Sequence, residues 1–354
     1  MFITILSFVG VLGLLITIHE FGHFVTAKRS GVKVLEFAIG FPPRLFQFQR
    51  GETLYTLNLI PLGGFVKMLG EEDPTHPRSL ASKSVPVRAL VISAGALMNL
   101  LLAVVLFAII AMVPQQFNSG DVSIVDVADN SPAAAAGLLP GDVIQRVNGR
   151  RVENIGDLRY QIQLRLGAAT TMELLREGVV QEIGVVPRWK VPEGEGATGI
   201  RVELLDAEVV SRSRPFWEAI PGAGKQTLDT LVFMKNGVTR WFIGDASPVD
   251  DVAGPIGIAR VTGEVARAGI APLLTLAAVL SLNLAILNIL PIPALDGGRL
   301  LFVAVEVLRR GKRISPQKEA LVHLAGFILL MIVVALVSYL DILRITRGES
   351  VLGG

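Results

Sequence analysis

The amino-acid sequence predicts a multi-pass α-helical membrane protein that has four transmembrane helices, a membrane-associated β-hairpin and an inserted α+β domain. Hydrophobic residues make up 51% of the 354 residues, more than most soluble domains contain. They are concentrated in four apolar blocks, each near the roughly 20 residues that a helix needs to cross a bilayer. A more polar stretch with short strand and turn patterns separates the second block from the third.

The four blocks span residues 2–18, 89–113, 273–290 and 321–340. No Lys or Arg precedes the first block, and no small-residue cleavage pattern follows it, so we interpret it as a membrane span rather than a signal peptide. Basic residues crowd the segments between spans one and two and between spans three and four, which predicts that both segments are cytoplasmic. The N-terminus and the long middle region are then expected outside.

The sequence divides into four parts. Residues 1–115 contain the first two spans and, at about 37–69, a stretch with partial apolar and polar alternation that is typical of a β-hairpin. Residues 120–206 combine short strands with one amphipathic helix, a pattern typical of a small soluble α+β domain. Residues 207–270 predict amphipathic connecting helices, which either lie at the membrane interface or pack on the soluble domain. Residues 271–354 contain the last two spans.

Charge and cysteine content exclude several kinds of function. The formal net charge is only +2, so no large basic surface indicates nucleic-acid binding. The chain contains no cysteine, which excludes disulfides, thiolate metal ligands and a cysteine nucleophile. Any transition-metal site must therefore be built from histidines and carboxylates.

The pentapeptide His19-Glu20-Phe21-Gly22-His23 is an HExxH sequence at the end of the first span. Positions i and i+4 of a helix share a face, so both imidazoles can reach one metal ion while Glu20 stands beside it. The alternative is that these residues only pack against other helices. Ionisable residues on a membrane helix are costly to keep there and usually mark a function, which favours the metal site.

A catalytic zinc ion commonly has three protein ligands, so one more ligand must come from elsewhere in the chain. The candidate is Asp296, which follows Pro291 and Pro293 and precedes two glycines. The two prolines should interrupt the third span. Spans one and three cross the membrane in the same direction, so the HExxH residues and Asp296 are expected at the same cytoplasmic side. The alternative role for Asp296 is a helix N-cap.

Several motifs in a fixed order resemble the site-2 protease family, and specifically the bacterial regulator-of-sigma intramembrane zinc metalloproteases with a PDZ domain. They are HEFGH at 19–23, GFVKM at 64–68, SAGALMN at 93–99, GLLPGDVI at 137–144, GPIG at 254–257 and the segment 288–298. The resemblance covers nearly the whole chain. It implies that residues 120–206 form a PDZ domain, of which this chain has room for one.

The resemblance implies that His19, His23 and Asp296 bind Zn²⁺ and that Glu20 is the general base. It also identifies Asn288 as a residue near the substrate, with an interhelical hydrogen bond as the alternative role. Lone His323, near the start of the fourth span, is expected to be an interfacial residue rather than a ligand.

The hairpin resembles the family's membrane re-entrant β-loop. Gly64, Phe65 and Val66 are therefore candidate substrate-binding residues, because an extended substrate could pair with an exposed strand edge. A turn is the alternative role for the glycine. The segment 137–144 resembles a PDZ ligand-binding loop, with a simple turn as its alternative.

The partners that the resemblance implies are single-pass transmembrane proteins, such as an anti-sigma factor already trimmed outside or a leader-peptide remnant, together with the lipid bilayer. The expected location is the bacterial cytoplasmic (inner) membrane, with the active site toward the cytoplasm and the PDZ domain outside. A non-catalytic membrane adaptor that binds exported protein tails through its PDZ domain is the competing hypothesis. A small transporter is a third, which the lack of an internal repeat disfavours.

Overall fold

The structure, a computed structural model, describes residues 2–192, 194–247, 249 and 252–347. The chain folds into two compact units. Residues 1–110 and 252–354 form the first, which we call the membrane unit, and residues 111–251 form the second, the β unit. The β unit is therefore an insertion between two chain segments that fold together.

The helices and strands that the structure describes follow one another along the chain in this order: α1 (Phe2–Arg29), β1 (Val34–Arg50), β2 (Thr53–Met68), α2 (Val85–Met112), β3 (Gln115–Val127), α3 (Pro132–Ala135), β4 (Val143–Val147), β5 (Arg150–Arg151), α4 (Ile155–Gln163), β6 (Thr170–Arg176), β7 (Val179–Val185), β8 (Ile200–Arg212), α5 (Phe216–Phe242), α6 (Pro255–Ala268), α7 (Ile270–Ile289), α8 (Asp296–Leu308) and α9 (Pro316–Thr346).

The four long apolar helices that the sequence predicts are present as α1, α2, α7 and α9. Helices α1, α2 and α9 extend several residues beyond their apolar blocks. Helix α9 begins at Pro316, which suits a first-turn position because the missing proline N–H would have no helical partner there.

The predicted hairpin region forms an antiparallel sheet in which both strands fold back. Phe37 of β1 is opposite both Tyr55 and Val66 of β2, so the first half of β1 lies between the two halves of β2. The second half of β1, from Arg44, pairs with residues 53–58. Residues 64–68 of β2 consequently form one edge of the described sheet. We call them the β2 edge.

The β unit contains a six-stranded sheet with the order β7, β6, β4, β3, β8, and β5 pairs with β4. The paired strands are all antiparallel. Val122, Ile144, Met172 and Leu174 are buried on the sheet and pack with Leu158 of α4 in one core. Alternation along the strands and the apolar face of α4 therefore produce the fold of this unit.

Helix α5 belongs to the β unit, and packing on this unit is one of the two placements that the sequence leaves open for residues 207–270. Phe233 of α5 stacks on Tyr160 of α4, with ring centroids 6.2 Å apart. Asp229 accepts a hydrogen bond of 2.7 Å from Arg150. Asn236 donates to the carbonyl of Gln163 at 2.8 Å. These contacts fix α5 along α4, and the unit consequently extends to residue 251.

We expect the stability of the β unit to depend on the ion pair between Asp142 and Arg176, whose Nε and Oδ1 atoms are 2.7 Å apart. Burial alone would raise the pKa of Asp142, but hydrogen bonds from Arg176 and the Leu139 N–H hold it below its usual range. This contribution to the free energy of unfolding is complete above the unfolded pKa of about 3.9 and is lost as pH falls through the lower folded pKa.

Asp142→Asn should remove this pH dependence and lower the free energy of unfolding of the β unit by about 1–3 kcal/mol at neutral pH. Hydrogen exchange of the β6 amides in the full-length protein measures the effect. Asp126→Asn is the control, because the Asp126 side chain is 57% exposed. Equal β6 exchange rates in the Asp142→Asn variant and the wild type would contradict the role given to this pair.

Candidate metal centre

Helix α1 carries both histidines of the HExxH sequence on its buried face. His19 and His23 are 9% and 6% exposed, and they lie one helical turn apart. Their rings meet edge to face, with centroids 4.9 Å apart. Both Nε2 atoms consequently point to the same location beside α1.

The third candidate ligand is positioned by a break between α7 and α8. Helix α7 ends at Ile289, and Asp296 is the first residue of α8. Between them the backbone turns sharply, and Ala294 has a φ of 75°, in the left-handed region. Gly297 permits the turn, because a Cβ there would collide with the carbonyl groups of Ile289 and Leu290.

The three candidate ligand atoms form a small triangle. His19 Nε2 is 3.0 Å from Asp296 Oδ2, His23 Nε2 is 3.2 Å from the same oxygen, and the two nitrogens are 3.2 Å apart. Ligand atoms about 2.0–2.1 Å from one tetrahedral zinc ion are separated by about 3.3 Å. The triangle is therefore close to the size that such an ion requires. Among the described residues this is the one group with these properties.

Contacts with α2 select the tautomer of both neutral rings. His23 Nδ1 is 2.8 Å from the Val91 carbonyl oxygen, so Nδ1 donates and Nε2 presents a lone pair. His19 Nδ1 is 3.4 Å from the side-chain amide of Asn99, whose Oδ1 is buried and has no hydrogen-bond partner in the described chain. Exchanging the amide oxygen and nitrogen of Asn99 lets the oxygen accept from His19 Nδ1, which gives His19 the same tautomer. Two lone pairs and a carboxylate then face one another, an arrangement that fits a cation.

Small residues allow α1 and α2 to approach closely at the centre. A Cβ at Gly22 would collide with the Ala94 carbonyl oxygen of α2. A Cβ at Gly95 would lie 2.5 Å from His23 Nε2 and 2.6 Å from His19 Nε2. Glycine at position 95 therefore leaves the space in which the two imidazoles converge.

A buried ion pair connects α2 with α8, the helix that begins at Asp296. The guanidinium of Arg88 donates to Glu306 Oε1 at 2.7 Å, and both side chains are only 9% exposed. Arg313 contacts the same oxygen at 3.2 Å. Removing either partner of a buried pair leaves an uncompensated charge, so this contact strongly favours the observed alignment of the two helices.

Glu20 lies between the ligand pair and the β2 edge. The backbone N–H of Val66 lies near its carboxylate. A Cβ at Gly64 would lie 3.3 Å from Glu20 Cγ, so the strand backbone approaches this side chain closely. The structure thus brings together Gly64, Val66 and Glu20.

Two other predicted residues make different contacts. The amide of Asn288 donates to the Leu284 carbonyl in its own helix at 3.0 Å. Phe65 stacks on Phe41, with ring centroids 6.4 Å apart. The sequence analysis missed the Val91 carbonyl entirely, because a backbone oxygen has no side-chain signal.

Two histidines and an adjacent glutamate on one apolar helix, together with an aspartate that follows another, indicate a membrane-embedded metallopeptidase. Residues 7–333 match the family description Peptidase family M50, and the chain belongs to this family. This confirms the site-2 protease family that the sequence motifs indicate.

Named relatives cover nearly the whole chain. The zinc metalloprotease RasP of Geobacillus kaustophilus is 32% identical, over 96% of this chain and 97% of that protein. The zinc metalloprotease RasP of Bacillus licheniformis is 30% identical, over 97% and 99%. The regulator of sigma-W protease RasP of Bacillus subtilis is 29% identical, over 97% and 99%.

Gly95→Ala should weaken divalent-metal binding by about tenfold or more, because the added methyl group occupies the space between the two Nε2 atoms. Competition with a chromogenic chelator on the purified full-length protein measures the affinity. Gly13→Ala is the matched control on α1, since nothing lies within 4 Å of a Cβ at that position. Wild-type affinity in the Gly95→Ala variant would show that the imidazoles do not converge as described.

Proposed function

We propose that this chain is an intramembrane zinc metalloprotease that hydrolyses a peptide bond within or near the transmembrane segment of single-pass membrane proteins. The observation that carries the proposal is the convergence of His19, His23 and Asp296 on one point, beside Glu20. All four side chains lie on or next to helices apolar enough to cross a membrane.

Zinc is the metal that we assign to His19, His23 and Asp296. Two imidazole nitrogens and a carboxylate oxygen suit this ion, and three protein ligands leave a fourth position free for water or substrate. Relatives that match nearly the whole chain have zinc metalloprotease in their names. When bound, Zn²⁺ supplies Lewis acidity, which lowers the pKa of water and polarises a peptide carbonyl.

Glu20 is the proposed general base. It directly follows the ligand His19 on α1, and its carboxylate lies near the backbone N–H of Val66. The carboxylate oxygens of Glu20 would take a proton from the attacking water and then return it to the amine nitrogen of the leaving peptide.

The β2 edge is the proposed binding site for the unwound substrate. A helical transmembrane segment engages its amide groups in its own hydrogen bonds, whereas a segment added to a strand edge is extended. Gly64, Phe65 and Val66 lie on this edge, and Gly64 and Val66 are next to Glu20. Asn288 is a further proposed substrate contact, whose amide bonds to its own helix in the substrate-free chain.

The proposed location is the bacterial cytoplasmic membrane, with the metal centre toward the cytoplasm and the β unit outside. The basic residues of the two predicted cytoplasmic segments support this orientation. Natural substrates of the proposed class are an anti-sigma factor trimmed outside or a leader-peptide remnant. The name regulator of sigma-W protease, given to the Bacillus subtilis relative, favours the first of these.

Residues 120–206 of the β unit are proposed to be a PDZ domain. A groove of about 720 Å³ in this unit is lined by Leu158 and Ile162 of α4, by Ile200 and Val202 of β8, and by residues 194–199. A groove between a helix and an edge strand can bind an extended peptide tail. Residues 137–144 do not line it. Asp142 in that segment instead accepts a hydrogen bond from the Leu139 N–H in a turn.

Glu20→Gln should reduce cleavage of a single-span test substrate by at least about a hundredfold, because the amide cannot take the proton. Zinc content should remain at one ion per chain, since the three ligands are unchanged. The measurements are mass-spectrometric mapping of the products and metal analysis of the same sample. Glu264→Gln, at a glutamate whose side chain is 56% exposed, is the control. Cleavage by the Glu20→Gln protein at the wild-type rate would contradict the role of Glu20.

The adaptor hypothesis gives different results in the same experiment. It predicts no stoichiometric zinc, no cleavage by the wild type and unchanged tail binding in His19→Ala.

If the groove binds peptide tails, a fluorescent peptide with a free C-terminal carboxylate should bind the full-length protein at least about tenfold more tightly than its amidated form. The reason is that capture of a terminal carboxylate depends on its charge. Fluorescence anisotropy measures both affinities. Equal affinities, or binding of neither peptide, would contradict the PDZ proposal while leaving the protease proposal intact.

A further inference from the structure

The loop between α7 and α8 rests on helix α9. The backbone N–H of Ala294 donates to His323 Nδ1 of α9 at 3.0 Å. Other backbone hydrogen bonds described for this loop are local, such as those from Ile292 to Leu290 and from Leu295 to Ile292. The His323 contact thus connects the loop to a separate transmembrane helix.

A second residue of α9 receives the same loop. Pro293 lies against Gly326, and a Cβ at position 326 would collide with the ring and backbone of Pro293. His323 and Gly326 lie three residues apart and therefore share one face of α9. His323 and Gly326 together form a seat for Pro293 and Ala294, which we call the α9 seat.

The His323 ring is held in one tautomer and one position. Because Nδ1 accepts from Ala294, the neutral ring carries its proton on Nε2. This Nε2 is buried and has no hydrogen-bond partner in the described chain, and its nearest carboxylate, Glu319, is 4.0 Å away. Phe302 contacts the ring with a centroid distance of 5.5 Å. Burying Nε2 without a hydrogen-bond partner costs free energy. The hydrogen bond at Nδ1 therefore has to contribute enough stability to offset that cost.

We propose that His323 is a positioning residue for Asp296. Ala294 stands two residues before Asp296, and its φ of 75° is unfavourable for a residue with a Cβ. The hydrogen bond to His323 stabilises this backbone conformation, which aims the Asp296 carboxylate at His19 and His23. His323 touches neither the metal ligands nor the substrate in this role. The inference rests on the proposed function, in which Asp296 binds the metal.

His323→Asn and His323→Leu separate this role from general packing. The Oδ1 of asparagine can replace Nδ1 as the acceptor for the Ala294 N–H, whereas leucine fills the space without an acceptor. Removing the support of a metal ligand typically costs 10-fold to 100-fold in metal affinity. We expect this loss for His323→Leu, and an affinity within about threefold of wild type for His323→Asn.

Zinc affinity is measured by chelator competition on the purified full-length protein, with kcat and KM for a single-span test substrate measured in parallel. For His323→Leu at saturating zinc, kcat should fall while KM stays near the wild-type value, because the β2 edge is unchanged. Gly326→Ala is a second variant that displaces Pro293 without altering His323, and it should also weaken zinc binding. Thermal unfolding verifies that each variant is folded.

Wild-type zinc affinity in His323→Leu, or equal losses in His323→Leu and His323→Asn, would overturn the inference. If His323→Leu fails to fold, the decision rests on Gly326→Ala together with His323→Asn. Asp296→Asn separates this outcome from failure of the proposed function. Undiminished zinc binding and cleavage in Asp296→Asn would refute the metal ligand set itself, whatever the His323 variants show.

Discussion

The membrane unit depends on bringing two imidazole nitrogens and a carboxylate oxygen within 3.2 Å of one another. Lone pairs that face each other repel, and the low dielectric constant of the surroundings strengthens that repulsion. A cation placed among the three atoms attracts each of them and so replaces the repulsion with attraction. The surrounding features, including the Val91 carbonyl, the Asn99 amide and the absence of a Cβ at Gly95, hold the acceptors in an arrangement that a metal ion stabilises.

The third ligand requires irregular backbone next to apolar helices, which is physically costly. Backbone groups between α7 and α8 have no helical partners, and lipid offers none. The chain satisfies them with short local hydrogen bonds and with the α9 seat. A break of this kind gives Asp296 an orientation that a residue inside a continuous helix could not have, since side chains of a straight helix point outward around its axis.

Much of the metal centre could be predicted from the sequence because it follows from helix geometry. The i, i+4 spacing of His19 and His23 and the paired prolines before Asp296 are local signals. Strand β8 could have been predicted from the alternation of Ile200, Val202 and Leu204 with polar residues, whereas its second half is mostly exposed and has no such pattern. The hydrogen bonds of the Val91 carbonyl and the Ala294 N–H could not be predicted, because almost every residue has the same backbone groups and the sequence does not mark which of them are used. The assignment of α5 to the β unit depends on tertiary contacts such as Phe233 on Tyr160.

The buried pair of Arg88 and Glu306 limits how the membrane unit can open. Because separating the two side chains leaves buried charges uncompensated, α2 and α8 are expected to move as one body. In contrast to this buried pair, the middle of α9 carries exposed apolar side chains. Phe327, Leu329 and Leu336 are each more than half exposed. These apolar side chains are expected to contact lipid, whereas α2 and α8 form the rigid part of the membrane unit.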